Sequence, residues 1–238
     1  MIGPRLKLAR SLEHINVLSE EIVAFMKNNP PTVKAGKAPD GAYLARVNFV
    51  PAPARLGILA ADVFQTLRAS LDYLAWELAL LNMTDGFPHK RTEFPICGKW
   101  DRDGKAHFNA VTKSLSQDAR DEIQALQPYH RGDSYKIHPL WVLNFFCNIA
   151  KHRSIPMAGY KIDMDLPPGT TVNALDSVTI EIIVQDPEKD FKPNPTSYSI
   201  SFGGLREAQG MSLSPHEFST LYNFVVSDVF PRFVHFFK

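Results

Sequence analysis

A chain of 238 residues with 45% hydrophobic and 21% charged content has the make-up of an ordinary soluble globular protein, and composition separates neither enzyme from binding module. Its net charge of +1 argues against a surface built throughout to hold nucleic acid, although a local basic patch would not register in the total. The isolated Cys97 and Cys147 lie in apolar surroundings, the pattern of reduced packed thiols in a cytoplasmic protein rather than of a disulfide framework or a thiolate metal site. With no signal-peptide core near the start and no apolar window long enough to span a bilayer, we expect a soluble, cytoplasmic protein with no membrane partner.

In chain order, Leu8, Leu12, Ile15, Leu18, Ile22 and Phe25 recur with a 3.6-residue period and predict an amphipathic helix over 5–28, stopped by Asn29-Pro30-Pro31. Residues 30–41, rich in Pro, Gly and Lys, read as a loop. Residues 43–50 alternate and are aromatic or β-branched in part, which predicts a strand closed by Pro51 and Pro53. From 55 to 82, Leu56, Leu59, Val63, Leu67, Leu71, Leu74 and Leu78 form one unbroken stripe, the mark of a central core helix. Arg68 and Asp72 stand at its edge, either as an intrahelical ion pair or as partners for another polar surface.

Residues 83–107 read as irregular, with Phe94-Pro95-Ile96 a short extended piece docking on the core. Ser116 is a suitable N-cap for a short helix over 116–127. Strands are predicted over 171–185 and 196–202. Ser214-Pro215-His216-Glu217 is a capping box that opens a last helix over 214–237, which Pro231 should kink or end.

The segment most informative about function is 138–153, HPLWVLNFFCNIAKHR. Pro139 fits a first helical turn, and Leu140, Leu143, Cys147 and Ala150 recur at helical spacing. At about 100° per residue, Trp141, Asn144, Asn148, Lys151 and His152 share one arc of an otherwise apolar cylinder. A helix of that kind is normally buried, and its polar residues then need partners. We therefore expect this arc to meet Arg68 and Asp72, with Asp72 accepting a bond from the Asn148, Lys151 and His152 group.

Local signatures of nucleotide folds, zinc proteases and nucleophile elbows are missing, and the eight histidines are scattered, so neither cofactor nor metal is expected. What remains supports acid–base chemistry. A histidine can move a proton near neutral pH, a lysine or arginine can stabilise developing negative charge, and an asparagine can orient either. RNA cleavage by 2′-hydroxyl attack needs only those parts. A purely structural reading also stands: Lys151, His152 and Arg153 close the helix, where cations offset the macrodipole, and the asparagines tie the next loop to the core.

The ordered motifs LRASLDYLAWEL (67–78), TEFPI (92–96), LQPY (126–129), HPLWVLN (138–144) and NIAKHR (148–153) resemble those of a widespread uncharacterised bacterial family, whose last motif usually reads NxDKHR where this chain has Ala150. More loosely, a helix bundle with a polar NxxKHR turn is similar to HEPN-type ribonucleases, dimeric helical proteins of toxin and antiphage systems with an R-x4-6-H signature. At the matching distance before His152 this chain carries Asn148. Arg131 and His138 have the spacing, across a glycine-containing loop.

The expected fold is α+β in one domain over 1–238: a bundle of about five helices (core 5–155 and 214–238) with a β insertion at 156–210 and a small antiparallel sheet. The resemblance implies a metal-independent endoribonuclease, with RNA and a second copy of the chain as partners. His152 would be the general acid/base, Lys151 and Arg153 the phosphate contacts and Asn148 the orienting group, with Arg68, Asp72, Asn144 and Trp141 as binding residues. The alternative is a non-catalytic binding or interaction protein whose Asn148, Lys151, His152 and Arg153 are structural or hold a small anionic ligand.

Overall fold

The computed structural model describes residues 1–38, 41–152, 157–161, 169–176, 178–184, 197–201 and 212–238. Among these the fold is α+β, a helical bundle with small antiparallel sheets. α1 (Ile2–Asn28) and α2 (Ala54–Leu81) follow their predicted stripes and bury Leu8, Ile15, Leu18 and Ile22 against Leu56, Leu67, Leu71 and Leu74. They run antiparallel. The Gly3 N–H donates to Glu77 at one end, and Arg55 pairs with Glu21 at the other.

The core continues through aromatic packing. Phe64 of α2 stacks on Phe146 of α5 (Pro139–His152), with centroids 5.3 Å apart, and meets Phe218 of α6 (Pro215–Phe224) at a tilt with centroids 5.1 Å apart. Each such pair contributes about 0.5–1.5 kcal/mol beyond its buried area, so one ring ties three helices together. The capping box forms as expected, with the Ser214 N–H donating to the Glu217 carboxylate. After α6 the regular helix gives way to a wider π turn, Val225–Val229, and then to 3-10 geometry over Phe230–Phe237. Pro231 lacks an N–H and cannot continue an α ladder, which accounts for the change.

Three sequence expectations are corrected. The predicted loop at 30–41 contains β1 (Thr32–Lys37), an edge strand exposed along its whole length, which pairs with β2 (Tyr43–Asn48). The predicted irregular stretch ends inside α3 (Arg102–Thr112), which Asp101 caps through the Gly104 N–H; α4 (Gln117–Ala125) follows, capped by Ser116 as expected. The strand predicted at 171–185 is a hairpin of β4 (Thr170–Ala174) and β5 (Thr179–Val184), in which Asp176 accepts from the Val178 N–H and closes the turn.

The four-stranded sheet runs β1-β2-β5-β4, all antiparallel, and its buried face carries Tyr43, Ala45, Val47, Ile182 and Val184. The strand expected at 196–202 does not join it. As β6 (Ser197–Ser201) it lies between β3 (Met157–Lys161) and β7 (Ser212–Leu213) in a second sheet.

A polar cleft as the candidate functional site

The side chains of Arg68 and Asp72 on α2 and of Asn144, Asn148 and Lys151 on α5 line one cleft of about 310 Å³. Its remaining wall is Glu93, Ile96 and, from α3, His107. Five of the residues singled out in the sequence thus come together, because helical spacing puts Asn144, Asn148 and Lys151 on one face of α5. Trp141 and His152 lie outside the lining. The half-buried Trp141 ring stacks on Phe145 at 4.8 Å and meets Tyr135 edge-on at 5.9 Å. His152 is the last residue of α5 and is exposed. Arg153 lies outside the described residues.

Arg68 and Asp72 form the intrahelical ion pair that their spacing suggested, and the pair is fixed from outside α2. Arg68 Nη2 donates to the Phe94 carbonyl at 2.8 Å, and the Phe94 N–H donates to Asp72 Oδ1 at 3.1 Å. The expected bond from Asp72 to Asn148, Lys151 or His152 is not made; Asp72 Oδ1 accepts from Arg68 and from the Phe94 N–H instead. The Phe94-Pro95-Ile96 piece docks on the core as predicted, with Phe94 fully buried. It brings Glu93 to within 3.7 Å of His107 Nε2, an ion pair whenever the imidazole is protonated.

Electrostatically the cleft divides into satisfied and unsatisfied parts. Asp72 is matched by Arg68 and a backbone N–H, and Glu93 faces His107. Among the described residues, Lys151 has no carboxylate partner and the Asn144 and Asn148 amides make no hydrogen bond. Asn148 and Lys151 are exposed, so the desolvation cost that a fully buried arc would carry does not arise. Behind them burial pushes the Cys147 thiol pKa up against the pull of Lys151 and Arg68. Its side chain is buried as well, the setting of a packed structural thiol.

Glu93 and His107 were missed in the sequence. Glu93 adjoins the Phe94-Pro95-Ile96 docking piece and His107 precedes Phe108, the buried anchor of α3, so each sits beside a residue whose burial was readable. Among the described residues, no group of three His, Cys, Asp or Glu side chains is arranged to hold a metal, and no helix is long and apolar enough to cross a membrane. In comparisons with known proteins, no family model, no curated protein and no solved structure matches the chain.

Proposed function

We propose that the cleft binds an anionic group, a phosphate or carboxylate, held by the Lys151 ammonium and the side-chain amides of Asn144 and Asn148. The observation that carries this reading is the imbalance of donors. Asp72 is paired with Arg68 and Glu93 lies 3.7 Å from the His107 imidazole, whereas among the described residues Lys151 has no carboxylate partner and the two amides make no hydrogen bond. Charge-assisted hydrogen bonds of this type contribute about 1.5–3 kcal/mol each where water is partly excluded. Titration with inorganic phosphate at constant ionic strength tests it: the melting temperature should rise in the intact protein and stay flat in Lys151→Ala.

A second reading rests on the exposed Lys151-His152 pair at the end of α5. In it the anion is an RNA phosphodiester and the protein is a metal-independent, HEPN-like endoribonuclease of a bacterial defence or toxin-type system. The ribose 2′-hydroxyl attacks phosphorus while His152 takes its proton, the P–O5′ bond breaks, and a protonated imidazole, His107 being the one in the cleft, returns a proton to the leaving oxygen. Lys151 stabilises the charge that builds on the phosphoryl oxygens, and Asn148 orients the phosphate. Incubation with total RNA in EDTA separates the two readings. Cleavage lost in His152→Ala supports the second, and intact RNA with phosphate binding retained supports the first alone.

A further inference from the structure

A second feature lies upstream of the cleft on the loop that follows α2. Phe87 is 83% exposed and therefore contributes almost nothing to the core. Beside it the loop is folded onto the end of α3. The His89 N–H donates to Ser114 Oγ at 3.0 Å, Asn82 Nδ2 donates to the Ser114 carbonyl at 3.2 Å, and the Arg91 N–H donates to His89 Nδ1 at 3.3 Å. These bonds tie the end of α3, where Lys113 precedes Ser114, to the loop that carries Lys90 and Arg91.

All three cations are exposed, and among the described residues none has a carboxylate partner. Their convergence registers on the His89 imidazole, which partial burial and then Lys113, Lys90 and Arg91 hold below its ordinary pKa, with no acidic group opposing them. The result is a small positive surface with a protruding aromatic ring, in a chain whose net charge of +1 would not reveal it.

We propose that Phe87, Lys90, Arg91 and Lys113 form a docking surface for single-stranded nucleic acid, Phe87 stacking on an unpaired base and the three cations following the backbone. An acidic protein would satisfy the cations but gives no role to an exposed ring. A duplex supplies phosphates but keeps its bases stacked, whereas a single strand offers both charge and a free π face. None of these four residues lines the cleft, and the proposal does not require the cleft to cleave anything.

The test is fluorescence anisotropy on the full chain with labelled oligouridylate and oligothymidylate across a salt series, beside a duplex of equal length and polyglutamate as competitor. We expect single strands to bind more tightly than the duplex. Phe87→Ala should weaken binding about 5- to 100-fold with the salt slope unchanged. The combined Lys90→Ala, Arg91→Ala and Lys113→Ala variant should lower the slope of log K against log salt by about 2, since each cation displaces most of one counterion. With oligothymidylate, the losses caused by Phe87→Ala and by the triple variant should be the same in a Lys151→Ala background as in the unaltered chain. No binding by the unaltered protein, equal binding by the triple variant, or an inert Phe87→Ala with efficient polyglutamate competition would overturn the proposal. Loss confined to Lys151→Ala would also overturn it, while leaving the cleft as an anion site. Of the five substituted side chains, the four other than Lys151 belong to this surface, and all five are exposed, so circular dichroism should be unchanged.

Discussion

Arg68 reaches from α2 to the backbone carbonyl of Phe94 at 2.8 Å, so one guanidinium joins the floor of the cleft to the 92–96 segment. Arg68 is 8% exposed and also pairs with Asp72, whose other partner is the Phe94 N–H. Removing it leaves a half-buried carboxylate without its cation and a buried carbonyl without its donor. Arg68→Met should therefore cost about 3 kcal/mol in urea unfolding. Arg68→Lys should rescue only part of that, because an ammonium cannot reproduce the two-pronged geometry. A loss under about 1 kcal/mol would mean that Phe94 packing and the Gln127 amide, which donates to the Pro95 carbonyl at 3.0 Å, hold the segment without Arg68.

His138, at the start of α5, gives the fold a pH dependence. Burial, with Arg131 and His130 nearby, lowers its pKa from 6.5 to about 4, and its Nδ1 accepts the Leu140 N–H at 3.2 Å, a bond that only the unprotonated nitrogen can make. The folded state thus disfavours the charged ring. Its contribution is fully present above pH 6.5, where the unfolded chain is neutral too, and is lost as pH falls from there toward 4 because the unfolded chain takes up the proton first. The shift corresponds to about 3 kcal/mol over that window. Chemical denaturation at intervals across it should show this fall, and His138→Gln should flatten it.

Gly98 tests the aromatic packing around Trp141. A Cβ there would lie 2.7 Å from the Tyr135 ring and 3.2 Å from Trp141, so Gly98→Ala must displace one of them. Overpacking of this kind costs about 1–3 kcal/mol. Tryptophan emission should shift along with the loss of stability; a variant with unchanged emission and melting would show that the rings move freely.

The parts of the structure that could be read from the sequence are those held by local pattern. The stripe from Leu56 to Leu78 and the Ser214–Glu217 capping box appear where expected, and of the arc expected from Trp141 to His152 helical spacing brings Asn144, Asn148 and Lys151 to the cleft but not Trp141 or His152. β1 was hidden because TVKAGK is an exposed edge strand with no buried face and hence no alternation. α3 was hidden because Gly104 sits in its first turn and only Phe108 and Val111 mark its apolar side, while its actual signal is the Asp101 cap. Glu93 and His107 reach the cleft through tertiary packing of a loop and a short helix, which no spacing within one element encodes. The Phe94 backbone took the partner role expected of α5 toward Asp72, and backbone groups leave no trace in a side-chain pattern.

The central claim is that Lys151 and the two asparagines hold an anion, and the dissociation constant for inorganic phosphate, measured by calorimetry on the intact protein and on Lys151→Met, tests it most directly. Methionine keeps the length and apolar stem of lysine and removes only the charge, at an exposed position where folding should not change. Losing one charge-assisted contact of about 1.5–3 kcal/mol should raise the constant by about tenfold or more. Equal constants for the two proteins, or heats indistinguishable from dilution in both, would contradict the account.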